Sequence, residues 1–217
     1  MIGQPPLSCH LGVMDMTAHA IVVIGAATGG LDPLRRITEG LPRDCSASVF
    51  VAMHASYPGL LPEILGWHGR LPIVFGRDGA LIEAGHIYVA PQDHHMLVGI
   101  DHIRLNQRPK INSVRPAADL LFTSAAEAHG KRVVGVVLSG AGSDGAIGLE
   151  IIKQHGGCAL VEDPRDATLP SMPAAAIAAD SPECMRIDDL ARRVSDFCVQ
   201  VHSDVRAERH VKAVEVY

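Results

Sequence analysis

The sequence is short of positive charge, of paired cysteines and of long apolar runs, and each shortage argues against a class of function. Lysine and arginine number 19 against 24 aspartates and glutamates, giving a net charge of −5 and a pI near 6.2. A phosphate-tracking surface needs a basic excess, so nucleic acid is not an expected partner. The acidic surplus is too small to name one. Five cysteines, Cys9, Cys45, Cys158, Cys184 and Cys198, are an odd number without CxxC or zinc-type spacing, which points to neither a disulfide framework nor a structural metal. A reducing cytoplasm suits such a chain best. No cationic start precedes a long apolar run, and no stretch of about 18 consecutive apolar residues occurs, so neither a signal peptide nor membrane insertion is expected. The histidines are many, but His94 and His95 are adjacent and would point apart on a strand, and no HExxH pair exists. No metal or other cofactor is expected. Internal repeats are also lacking.

What the chain does have is a core. Its 217 residues are 47% apolar and 20% charged, enough to bury one domain of ordinary to large size. Residues 1–19, with Pro5 and Pro6 and no apolar period, read as a loose lead; residues 20–202 as the domain; residues 203–217 as a charged tail carrying Arg206, Glu208, Arg209, Lys212 and Glu215.

Strand-length apolar runs alternate with helix-length periodic segments, which predicts a single α/β domain: a doubly wound, mostly parallel sheet with helices on both faces. Strands are expected at Ala20–Gly25, Ala47–Met53, Pro72–Phe75, His86–Ala90, Val133–Ser139 and Cys158–Val161, most of them Val/Ile-rich as befits strands buried on both sides. Helices are expected after Asp32-Pro33 and at Leu60–Leu65, Ala117–Ala128, Ala146–His155, Met172–Ala178 and Leu190–Val201. Apolar stretches flanking Asp101-His102, between Met96 and Leu105, read as a β-hairpin inserted in the parallel series.

Three buried strands run straight into small or polar turns: Val22 to Gly30, Val49 to His54 and Val136 to Gly145. In an open parallel sheet ligands bind outside the carboxyl ends of the strands, so Ala27, Thr28, His54 and Asp144 should converge there. His54 has the residue type for a general base near neutral pH, and Asp144 for the carboxylate that fixes its tautomer. The plainer alternatives are a structural histidine at a strand end and an Asp-Gly turn that caps a helix. The spacing Gly25-x-x-x-Gly29-Gly30 is not GxGxxG and no P-loop lysine follows, so a nucleotide-binding module fits less well.

With these residues in view, the chain resembles the catalytic domain of the chemotaxis methylesterase (CheB) family over about Ala20 to Leu190. Ile24-Gly25-Ala26-Ala27-Thr28-Gly29-Gly30 is similar to that family's IGASTGG, with Ala27 in the serine position. Met53-His54 followed by Tyr57-Pro58-Gly59 resembles the segment carrying its histidine. Gly85 to Pro91, Asp93 to Met96, Arg115 to Phe122, Gly140 to Gly145 and Met172-Pro173 match further motifs in the family's order.

The resemblance implies a Ser-His-Asp site acting on glutamyl methyl esters of chemoreceptors, with His54 and Asp144 as members and Thr28, Ala141 and Gly142 around the substrate oxyanion. It leaves open whether ester, glutamine amide or both are substrates. Methylated cytoplasmic receptor helices are the implied partners. The family's receiver domain does not fit in the nineteen residues before the first strand, so a separate receiver-domain regulator is a further candidate partner. Ala27 removes the attacking oxygen. Two readings therefore stand: a hydrolase whose serine has been replaced, and a natural non-hydrolytic relative that binds receptor side chains. Thr28 beside the vacancy is better placed as a hydrogen-bond partner than as a substitute nucleophile, because neighbouring side chains on such a turn point in different directions.

Overall fold

The computed structural model describes residues 20–54 and 58–199. The lead 1–19, the tail 203–217, Tyr57 and the last two residues of the final expected helix lie outside that set. Seven parallel strands form one sheet in the order β3-β4-β2-β1-β7-β8-β9. They are β1 (Ile21–Ala26), β2 (Ser48–Met53), β3 (Ile73–Phe75), β4 (Ile87–Val89), β7 (Val133–Val137), β8 (Cys158–Glu162) and β9 (Glu183–Met185). Strands β5 (His95–Val98) and β6 (Ile103–Asn106) pair antiparallel as the inserted hairpin, in the register His95↔Asn106 to Val98↔Ile103.

The chain builds outward from β1 through β2 to β3 and β4, then returns to place β7 on β1's other side and builds outward again. The order reverses between β1 and β7, and a crevice opens beyond the carboxyl ends of the strands at such a point. Helices α1 (Leu31–Gly40), α2 (Leu61–Gly66), α3 (Ala118–His129), α4 (Ala146–Gln154), α5 (Ser171–Asp180) and α6 (187–199) cover the sheet.

Alternation along the strands divides the apolar residues between two cores. Val22, Ile24, Val49 and Val51 point to one side, where Leu34 and Ile37 of α1, Leu65 of α2 and Leu190 and Val194 of α6 cover them. Ile21, Val23, Phe50 and Ala52 point to the other, against Leu121 and Phe122 of α3, Leu149 and Ile152 of α4, Met172 of α5 and the hairpin residues Met96 and Ile103. Continuous apolar strands are what a sheet buried on both faces requires.

Strand β9 was not among the sequence expectations. Glu183-Cys184-Met185 is short, starts with a charge and has no β-branched or aromatic residue, and its parallel pairing with β8 defines it. Among the described residues no helix is long and apolar enough to cross a membrane.

Candidate active site

The period-2 phase of the sheet decides where the strand-end residues face. Ile21, Val23 and Gly25 alternate toward the α3 side, so Ala27 continues on it; Phe50 and Ala52 do the same on β2, and His54 follows. The paired ends stay together past the strands, for the His54 N–H donates to the Ala26 carbonyl at 3.0 Å and the Ala27 N–H to the Ser139 carbonyl, also at 3.0 Å. The turn after β1 needs Gly29 in the left-handed region, φ +90°, and a Cβ there would come within 2.9 Å of Thr168 Cβ. At Gly25 a Cβ would stand 2.7 Å from Ala118 Cβ, so its absence lets the start of α3 lie directly on β1.

Asp144 reaches this place from the turn after β7. It is buried, and its two oxygens accept the Ala118 N–H at 2.6 Å and the Asp119 N–H at 3.0 Å. These are the first amides of α3, which have no partner within their own helix and favour an anion. The same Oδ2 lies 3.1 Å from His54 Nε2, and the Pro116 carbonyl lies 2.9 Å from that nitrogen. Facing two acceptors, Nε2 carries the ring proton, and Nδ1 keeps its lone pair as the proton acceptor. The ring is 18% exposed and Asp144 4%, so the pair is sheltered while one edge of the imidazole stays open. Asp144 thus serves both chemistries weighed from the sequence: it caps a helix, and it sits on the histidine.

The remaining sequence candidates lie around this pair. Ala27 is 4% exposed, whereas Thr28 next to it is exposed, so the two side chains leave the turn in different directions. A Cβ on Gly140 would meet Ala27 Cβ at 2.8 Å, which brings the turn after β7 against Ala27. Ala141 and Gly142 continue that turn at the surface. The Gly140 carbonyl accepts the Met172 N–H at 2.9 Å, closing the third side with the start of α5. Among the described residues no group of three or more His, Cys, Asp or Glu side chains is set to hold a metal ion.

Sequence reasoning about individual residues did not single out the parts that hold the site in place. Arg115 donates twice to Asp93 Oδ1, at 2.9 and 2.6 Å, and to the Gln107 and Arg108 carbonyls at 2.9 and 2.8 Å, fixing the segment that carries Pro116. That arginine holds the Asp93 carboxyl below the ordinary carboxylate range. His95, fully buried, accepts the Ala117 N–H at 3.2 Å through Nδ1 and faces the Pro109 carbonyl with Nε2. Asp119 accepts the Gly145 and Gly148 N–H groups, each at 2.9 Å, and burial raises its pKa against those bonds. Glu162 accepts both the N–H and the hydroxyl of Ser139, at 2.7 and 2.9 Å. An acidic residue in the first turn of α3 and a place in the motif from Arg115 to Phe122 were the visible signals for Asp119; the bonds themselves depend on contacts between distant segments.

Fold and site together define a doubly wound α/β domain that presents a histidine–aspartate pair at its switch point. The comparisons with known proteins agree on the family. The family model described as CheB methylesterase matches residues 22–194, and the chain belongs to that family. It is 38% identical over 170 residues to a protein-glutamate methylesterase/protein-glutamine glutaminase of Pyrococcus horikoshii, covering 75% of this chain and 46% of that protein. It is 35% identical over 166 residues to a putative protein of the same name from Leptospira interrogans, covering 75% of this chain and 86% of that one. The crystal structure of the Thermotoga maritima CheB methylesterase catalytic domain superposes with a TM-score of 0.80 at 28% identity, covering 82% of this chain and 98% of that one. The chain spans about half the length of several of the curated relatives it matches.

Proposed function

We propose that this chain is a methylesterase-type domain that binds glutamyl methyl ester side chains of chemoreceptor helices and does not turn them over. The observation that carries the reading is the position of Ala27. It stands in the family's serine position, at the end of the strand next to His54, beside a histidine whose proton is held on Nε2 and a buried Asp144. A serine there would attack the ester carbonyl while His54 Nδ1 took its proton. Methanol would leave, and water would clear the acyl-enzyme with the same histidine as base. The N–H groups of Thr28, Ala141 and Gly142 are our candidates for stabilising the oxyanion, a role that depends on the backbone and tolerates alanine at 141.

Alanine offers no oxygen for the first step. Loss of the nucleophile from such a site lowers turnover by about 10⁶, leaving roughly 10³ to 10⁴ over water from binding and the oxyanion donors. Thr28 does not substitute, since its side chain leaves the turn in another direction. The names of the relatives give both ester and glutamine substrates, and this chain is proposed to bind the same class of side chain. A separate receiver domain and a cytoplasmic location complete the proposal.

The test is Ala27→Ser, assayed by methanol release from methylated receptor. The serine variant should gain several orders of magnitude over the chain as it stands, and His54→Ala added to it should remove the gain. A folded serine variant that binds methylated receptor and releases no methanol would leave only the binding role. One that neither binds nor turns over would end the proposal.

A further inference from the structure

Helices α3 and α4 begin side by side, and neither residue at their N-caps, Ala117 or Gly145, supplies a side-chain cap. The caps are exchanged instead. Asp144, just before α4, accepts the Ala118 and Asp119 N–H groups of α3, and Asp119, in the first turn of α3, accepts the Gly145 and Gly148 N–H groups of α4.

We infer that Asp119 is a positioning residue of the site, holding Asp144 against His54 by binding both its carboxylate and the backbone of the residue that follows it. Its own N–H donates to Asp144 Oδ1 at 3.0 Å, while its carboxylate takes the N–H of the very next residue, Gly145, at 2.9 Å. The peptide bearing Asp144 is therefore fixed from the carboxylate end and from the backbone end by one residue. Asp144 Oδ2 must stay within reach of His54 Nε2, now 3.1 Å away, and the turn from Ala141 to Ser143 that leads to it is exposed. Without the Asp119 carboxylate the Gly145 end of the turn is no longer held, and Asp144 is kept near the ring by the two α3 amides alone. The Gly145 and Gly148 amides bind the same oxygen, Oδ1, while Oδ2 receives Asn112 Nδ2 at 3.3 Å. An asparagine at 119 can therefore keep the grip through its carbonyl, and an alanine cannot.

The inference rests on the methylesterase reading for its kinetic consequence, and its geometric part is measurable without it. In the chain as it stands, the hydrogen-bonded His54 Nε2–H should give a downfield proton resonance. Asp119→Ala should shift that resonance upfield or broaden it away, and Asp119→Asn should restore it. In the Ala27→Ser background, Asp119→Ala should lower kcat by about 10²-fold with KM unchanged, as expected when a reacting group is misplaced by about 1 Å, and Asp119→Asn should recover most of the loss. If Asp119→Ala does not fold, Asp119→Ser takes its place with the same two readouts and the same expected losses. A folded alanine or serine variant with the parent's His54 resonance would overturn the inference and leave Asp119 as a helix cap. If Ala27→Ser releases no methanol, the enzymatic reading fails and the resonance alone still decides the role of Asp119.

Discussion

The two faces of the sheet are built from the same strands and bury different things. Against α1, α2 and α6 the interior is mostly apolar: the buried Thr38 returns its hydroxyl to the Arg35 carbonyl in its own helix, and Glu162, in phase with Leu160 on β8, lies buried at the carboxyl edge. Against α3, α4 and the hairpin, Asp119, Asp144 and His95 are also buried, all bonded to backbone amides near the carboxyl edge. The difference follows from what meets the helix N-termini, since α1 and α2 also start where β1 and β2 end but take no side-chain cap among the described residues. Helices α3 and α4 start at the edge where the strands end, so their unpaired amides can solvate carboxylates that water does not reach. One face supplies stability, and the other holds a histidine–aspartate pair in a fixed place.

The most damaging change to that contrast is at Asp144. Each of its oxygens already accepts a backbone N–H, so an asparagine must turn its own NH₂ toward Ala118 or Asp119. In the Ala27→Ser background, Asp144→Asn should lower kcat by about 10⁴, the loss expected when the histidine tautomer is no longer held. It should also cost about 1–3 kcal/mol for the donor left unpaired. Methanol release and urea unfolding measure the two parts; an asparagine variant at full activity would show that Pro116 alone holds the ring.

A second pair of substitutions sets one face against the other. Leu34→Ala removes fully buried side-chain volume on the α1 side and should cost about 2–5 kcal/mol. Gly25→Ala adds a methyl 2.7 Å from Ala118 Cβ and 3.3 Å from Phe122, on the α3 side, and should cost about 1–3 kcal/mol. The smaller loss should carry the larger functional effect. In the serine background, Gly25→Ala should lower kcat because it pushes the start of α3 away from β1, and Leu34→Ala should lower only the unfolding free energy. Equal kcat in the two variants would mean that the faces are not functionally distinct.

The sheet was legible in the sequence because each of its long strands is a continuous apolar run, and the hairpin because its two runs flank Asp101-His102. Strand-end placement followed from the parallel topology, so the convergence of Ala27, His54 and Asp144 at one edge could be expected without any contact being known. What the residues did not reveal is which carboxylate serves which helix. Asp119 and Asp144 are 25 positions apart, and their exchange depends on α3 and α4 starting at one point in space. Strand β9 escaped for a related reason: nothing in Glu183-Cys184-Met185 marks a strand until β8 lies beside it.

The smallest expected effect concerns a third carboxylate at the same edge. Glu162, at the end of β8, is almost fully buried and takes the Ser139 N–H and hydroxyl on one oxygen, while the Ser139 carbonyl holds the Ala27 N–H. Burial raises the Glu162 pKa above its ordinary value, and the Ser139 bonds only partly oppose it. A carboxyl that holds its proton more tightly when folded leaves the native state with more bound protons than the unfolded state between the two pKa values. Stability then falls as pH rises through that window. The cost is full above the folded pKa and gone below the unfolded one, near about 4.3. Glutamine has the same shape and no charge, and its carbonyl can accept both Ser139 donors because both already use one oxygen. At pH 7, Glu162→Gln should therefore be more stable than the parent, and the gap should close as pH falls toward the unfolded value. Urea unfolding of both proteins across that range is the measurement, and taking their difference cancels carboxylates common to both, including Asp119, whose pKa is raised by burial in the same direction. A gap that stays constant with pH, or a parent that is the more stable at pH 7, would show that the Ser139 bonds outweigh burial and that Glu162 belongs with Asp144 as an anion the edge was built to hold.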